Sequence, residues 1–257
     1  MERHVARILI LLALLITSPA MAESPKSFKT AKKWIADIHT KIGNETTLYC
    51  GCPYSRTTES GGVLDMEACG LKARKNEKRA DDLEWEHITP AAWIGGHLAC
   101  WTTGHAKCSE PGRECCNKSG VNDAFRYAHN DLNNLFPSGG EVNGDRSDHP
   151  YGTVDNEPRE YGACDFEVGG SPKRAEVADS LKGVIARALL HMATHRGARI
   201  PYDLDKLKQD SADDPPEAWE IKRARKIADK TGIRNVHILG DCDGAMTMRC
   251  GATRSFP

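Results

Sequence analysis

Aromatic residues are scarce, at 6% of the 257 residues. A surface that stacks successive bases of a single strand needs more of them. Charge of one sign is also missing, since 35 basic and 36 acidic residues leave a net charge of −1. That excludes a histone-like polycation, and contact with any polyanion must run through a local patch. Long apolar runs are absent: the one apolar stretch, Ile8 to Ile16, is too short to span a membrane. No repeat, heptad array or low-complexity tract is present, which excludes a solenoid or a long coiled coil. With 28% charged and 39% hydrophobic residues the chain is not disordered as a whole.

What is present begins with an export signal. Arg3 and Arg7 form a basic start, Ile8 to Ile16 the apolar run, and Ala20-Met21-Ala22 an A-x-A cleavage site. Residues 1–22 therefore read as a signal peptide. The protein is expected in the periplasm or outside the cell, with no membrane association after cleavage. Removing that segment takes away two arginines and one glutamate, so the mature chain is slightly more acidic.

The 10 cysteines all follow the cleavage site. An even count in an exported chain reads as disulfides, five at most. Cys50-x-Cys52 and the adjacent Cys115-Cys116 fit zinc spacing poorly. Neighbouring Cys115 and Cys116 are expected to bridge to different places. Cys100 and Cys108 are close enough for a local loop; the pairing otherwise stays open.

Apolar spacing predicts helices over 27–42, 122–136, 173–196 and 215–231. The cations of 173–196 read as solvated surface. Short strands are expected over 46–49 and over 84–89, the latter stopped by Pro90. Residues 51–83 are loop-rich, and 95–121 read as a cross-linked excursion. The fold class is α+β, with residues 23–257 as one domain and 240–257 as an unplaced tail.

The informative stretch is Glu84-Trp85-Glu86-His87-Ile88-Thr89-Pro90. Further on come Asp131-Leu132, Asn134-Leu135, Pro137 and the run Glu141-Val142-Asn143-Gly144-Asp145-Arg146. Together with Tyr49-Cys50-Gly51-Cys52, Arg74-Lys75-Asn76-Glu77, Pro90-Ala91, Cys100-Trp101, Tyr161-Gly162 and Cys164, these pieces resemble the endonuclease I family of periplasmic and secreted nucleases.

The resemblance implies a ββα-metal (His-Me finger) motif, with a strand carrying the His and a following helix the Asn. It implies a non-specific endonuclease acting on DNA, with RNA as a second candidate, leaving 5′-phosphate ends. His87 would be the general base, and Glu86 and Asn143 the metal ligands. A neutral imidazole can take a proton from water near neutral pH. Hard oxygen ligands suit Mg²⁺, with Ca²⁺ or Mn²⁺ as alternatives. Adjacent strand residues face opposite sides, so Glu86 and His87 share a site only where the strand ends or twists.

Phosphate contacts are expected from Arg74, Lys75 and Lys78, in a basic run beside the motif, and from Lys107. Lys222, Arg223, Arg225 and Lys226 read as a solvated helix face. Two positions depart from the family pattern. Its phosphate-holding Arg, counted from Cys100 without a gap, falls on Ala106, leaving Lys107 or His105 as substitutes. Its Glu before Asp-Leu is replaced by His129, read here as a surface residue. These departures keep an alternative open, a non-catalytic exported nucleic-acid-binding protein on the same scaffold. The chain is expected to act as a monomer.

Overall fold

A computed structural model describes residues 24–156 and 158–240. The signal segment, Cys242, Cys250 and the tail after residue 240 lie outside the described residues. In chain order the elements are α1 (Phe28–Ile42), β1 (Tyr54–Arg56), β2 (Gly62–Leu64), α2 (Met66–Cys69), α3 (Glu77–Ala80), β3 (Leu83–His87) and α4 (Ala91–Gly95). Then follow α5 (Ala99–Thr102), α6 (Arg113–Asn117), α7 (Asp123–His129), β4 (Leu135–Gly139) and α8 (Gly140–Arg146). The last are β5 (Phe166–Gly169), β6 (Arg174–Val177), α9 (Lys182–Arg196), α10 (Leu204–Asp213), α11 (Ala218–Thr231) and α12 (Val236–Leu239). The strands form three two-stranded antiparallel pairs, β1–β2, β3–β4 and β5–β6. The α+β expectation holds, with little sheet. No described helix is long and apolar enough to cross a membrane.

The central element is α9. Val184, Ile185, Ala188, Leu189 and Met192 are all buried, and so are Arg187 and His191. Arg187 is not the solvated cation expected of this helix. It makes a bidentate pair with Glu220 of α11, Nε to Oε1 at 2.7 Å and Nη2 to Oε2 at 2.6 Å. A buried charge is tolerated only when paired in this way. Asp131, also buried, accepts from Arg196 Nε at 2.6 Å and from His191 Nε2 at 3.1 Å. That cluster ties the end of α9 to the loop entering β4.

Several expected elements differ. The 46–49 strand is reduced to a single bridge from Thr46 to Pro53. Gly51, at φ 63°, turns the chain so that Thr47 N donates to Cys52 O. The helix expected over 122–136 stops at His129, and Leu135 and Phe136 enter β4 instead. Asp131 caps the backbone N–H of Asn133, and the Arg223 guanidinium takes the Leu132 and Leu135 carbonyls. Arg223 is thus fully buried, against its reading as solvated, while Lys222, Arg225 and Lys226 stay exposed. Residues 174–177 are the β6 side of a hairpin and 179–181 a 3-10 turn, so α9 starts only at Lys182. The helix expected from 215 begins at Ala218, and α10 went unforeseen.

Among the described residues four disulfides join Cys50–Cys164, Cys52–Cys69, Cys100–Cys116 and Cys108–Cys115. Cys115 and Cys116 do bridge to different partners. The local Cys100–Cys108 loop does not form: each of the two pairs with one member of the 115–116 doublet on α6.

Candidate active site

Strands β3 and β4 pair antiparallel, with His87 opposite Leu135 and Leu83 opposite Gly139, and α8 follows β4 directly. This is a β–β–α unit with the motif histidine on its first strand and Asn143 on its helix. An open groove of about 1200 Å³ runs along it. Phe28, Glu84, Glu86, His87, Arg113 and Asn143 border that groove.

His87 ends β3. Its Nε2 lies 2.8 Å from the carbonyl oxygen of His129. A carbonyl can only accept, so Nε2 carries the proton and Nδ1 holds the free lone pair. Burial first, then the neighbouring His129 ring and the Arg113 and Arg146 charges, push the imidazole well below its ordinary range and keep it neutral.

Glu86 faces the other way from the strand, as alternation requires. Its Oε1 accepts from Tyr49 Oη at 2.9 Å and pairs with Arg146 Nη1 at 3.2 Å. Arg146 also donates to the His87 and Ile88 carbonyls, so one buried guanidinium fixes both the strand end and the carboxylate. Burial pushes the Glu86 carboxyl up to about 7, and Arg146 and Tyr49 pull against that. Glu86 and His87 still border one groove because the strand stops there.

Asn143 donates its Nδ2 to Glu84 Oε2 at 2.7 Å, which leaves its amide carbonyl oxygen available. Glu84 is itself held by Arg79, Nε to Oε1 and Nη2 to Oε2, both at 2.7 Å. Sequence reasoning passed over Glu84, although it stands two residues before Glu86 and therefore on the same strand face.

The donors at this site are a carboxylate and an amide carbonyl, both hard oxygens. Among the described residues no group of three or more His, Cys, Asp and Glu could hold a metal. The set therefore fits a hydrated Mg²⁺-like cation that keeps several waters and takes a further ligand from substrate phosphate. It does not fit a closed structural metal site.

Other expected residues fall differently. Arg74 pairs with Asp145 and Glu160, and Lys75 pairs with Asp145. Their loop is gripped by Glu141, which accepts the backbone N–H groups of Arg74, Lys75 and Asn76. Arg74, Lys75 and Lys78 border a separate hollow of about 330 Å³, not the groove. Lys107 is also away from the groove lining and donates to the Gly120 carbonyl. His129 is buried rather than on the surface. Its ring lies 4.5 Å from that of His87, and its backbone carbonyl orients the His87 ring.

Arg113 is a groove-side cation outside the residues expected from the sequence. It heads α6 and borders the groove, and it is close enough to His87 and His129 to act on both. Arg113 lies inside the loop that Cys108–Cys115 closes, beyond the segment that the count to Ala106 covers. The signal was present in the spacing: Arg113 stands three residues before Cys116, the partner of Cys100.

A family model described as Endonuclease I matches residues 26–241. An extracellular deoxyribonuclease of Aeromonas hydrophila is 33% identical over 90% of this chain and 96% of its own length. A periplasmic deoxyribonuclease of the same organism is 33% identical over 90% of this chain and 93% of its own length. The Endonuclease-1 of Buchnera aphidicola subsp. Acyrthosiphon pisum is 31% identical over 84% of this chain and 82% of its own length.

Proposed function

The chain belongs to the endonuclease I family, and we propose that it is an exported, divalent-metal-dependent endonuclease. On this reading it hydrolyses DNA without sequence preference, accepts RNA as a second substrate, and leaves 5′-phosphate ends. It works as a monomer in the periplasm or outside the cell. The observation that carries the reading is the His87 tautomer. With Nε2 bound to the His129 carbonyl, Nδ1 is the one ring nitrogen able to take a proton.

The roles follow from the groove. His87 Nδ1 removes a proton from the attacking water. Arg113 offers a planar fork to the phosphate oxygens, a geometry Lys does not provide. Glu86 and the Asn143 carbonyl would hold Mg²⁺, with Ca²⁺ or Mn²⁺ as alternatives. When bound, the cation neutralises charge on the phosphate and on the departing 3′ oxygen. Glu84 and Arg146 orient the two ligands. Contacts of this kind go to phosphates and read no sequence. Arg113 in the groove supports this reading over a protein that only binds nucleic acid, since it puts a cation beside the proposed base.

Plasmid cleavage by the mature protein, with Mg²⁺ and then with chelator, tests the proposal. Cleavage that stops with chelator, and is absent in His87→Ala, is the expected result. Full activity of His87→Ala would remove the base assignment. Retention of DNA without cleavage under Mg²⁺, Mn²⁺ and Ca²⁺ would replace the enzyme with a binding protein.

A further inference from the structure

The His87 ring is held by one hydrogen bond and by the tilted His129 ring 4.5 Å away, both from the same residue, which leaves the imidazole free to swing with that residue and carry Nδ1 out of line. The second constraint comes from the N-terminal segment. The Phe28 ring stacks on His87 with centroids 5.0 Å apart and planes 30° apart. It also meets His129 edge-on at 5.0 Å. Three rings are therefore in mutual contact at the base.

Phe28 is held there by a strap. The Pro25 carbonyl accepts from Asn130 Nδ2 at 3.2 Å, and the Lys26 carbonyl accepts from Arg126 Nη1 at 3.1 Å. Pro25 is buried. Ser27 then caps α1 by accepting from Thr30 N, which fixes Phe28 as the first helical residue. Arg126 and Asn130 flank His129 on α7 and its cap. The segment that supplies the carbonyl to His87 thus also anchors the strap. Phe28 is only half-buried and borders the groove, so its ring is not a core plug.

We propose that residues 24–28 form part of the catalytic centre and that Phe28 is the positioning residue for the His87 imidazole. This rests on His87 as the general base. A stacked ring resists rotation of the imidazole about its Cβ–Cγ bond, which the single hydrogen bond does not. Aromatic pairs of this kind prefer offset stacked geometry, which a flat aromatic supplies and an aliphatic chain of similar size does not.

The test uses the full exported chain with saturating Mg²⁺ on supercoiled plasmid, comparing Phe28→Leu, Phe28→Tyr and His87→Ala. Leu fills most of the volume without stacking, so Phe28→Leu is expected to fold with an unchanged melting temperature. It should lose about tenfold or more in kcat with little change in KM, as misplacement of a catalytic group does. Phe28→Tyr restores the stack and should recover most of that loss. The ¹⁵N shifts of His87 should show one tautomer in the parent and in Phe28→Tyr, and a mixture in Phe28→Leu. Parent-like kcat in Phe28→Leu, with His87→Ala inactive, overturns the proposal. Activity in His87→Ala overturns the base assignment, and this proposal with it.

Discussion

The side-chain amide of Asn143 donates to Glu84 Oε2 at 2.7 Å, and that contact decides which atom of Asn143 faces the groove. With Nδ2 committed, the carbonyl oxygen is the one left for a cation. Outer partners of metal ligands typically carry 10–100-fold in metal affinity or activity. Glu84→Ala removes the acceptor and frees the Asn143 amide to rotate. Its Mg²⁺ requirement, read as the concentration for half-maximal cleavage, is expected to rise by about 10-fold or more. Glu84→Gln keeps one carbonyl acceptor and should lie between Ala and the parent. An unchanged Mg²⁺ titration in Glu84→Ala would detach Glu84 from the metal ligands.

Arg113 gives a second prediction, because it is exposed and its removal leaves no buried charge behind. Arg113→Ala should fold normally and lose about 100-fold in kcat, the scale of a lost donor to transition-state charge. Arg113→Lys should recover only part, since a point charge replaces a fork. Lys107→Ala, by contrast, should cleave like the parent. Parent-like cleavage in Arg113→Ala with a loss in Lys107→Ala would return the phosphate contact to the position favoured by sequence spacing.

Much of this site was legible in the sequence, and the reasons are local. His87 and Asn143 sit in short motifs that lie on a strand and a helix as read, with β3 ending at His87 rather than running to Thr89. What escaped depended on contacts between distant segments. His129 looked like a surface residue because a helix of seven residues has no periodicity to show that this face is covered by Phe28 and Phe125. Arg223 looked solvated because a run of cations hides the one that turns inward to the Leu132 and Leu135 carbonyls and the Phe136 ring. Arg113 was passed over because its place beside the groove depends on the Cys100–Cys116 and Cys108–Cys115 bridges. Strand β4 was read as helix because Leu132 and Leu135 keep a three-residue spacing across a turn.

The disulfides differ in what they constrain. Cys50–Cys164 spans 114 residues of sequence, whereas Cys108–Cys115 spans 7. On loop-closure entropy alone the longer bridge stabilises by about 2 kcal/mol more. Replacing Cys50 and Cys164 together by Ala should therefore lower the unfolding midpoint in denaturant clearly. Replacing Cys108 and Cys115 should lower it less yet reduce cleavage, because the short bridge closes the loop that holds Arg113. Strong reductant, acting on every bridge, should abolish cleavage. Equal midpoints for the two double variants would show that the denatured chain is not the state these bridges restrict.

The pH dependence of stability should be dominated by buried histidines. His39 donates from Nδ1 to the Asn44 carbonyl at 2.8 Å and faces Arg223 Nε across 3.3 Å on the other side. Burial, reinforced by the Arg223 charge, brings it down to about 3. A histidine lowered on folding binds fewer protons in the native state between about pH 3 and its ordinary value near 6.5. Its contribution is complete above pH 6.5 and is lost as pH falls through that window, by up to about 1.4 kcal/mol per unit. His195, brought down to about 4 chiefly by burial, works in the same direction. Glu86 opposes them: raised to about 7, it binds more protons when folded, so it favours the native state as pH falls from 7 toward 4.5. His87 and His129, both lowered chiefly by burial, add to the histidine side, so four histidines outweigh one carboxyl and denaturant stability should fall from pH 6.5 to 4.5. His39→Gln, which keeps polar partners for Asn44 and Arg223 without a titrating ring, should flatten that slope. An unchanged slope in His39→Gln would assign the acid sensitivity to other groups.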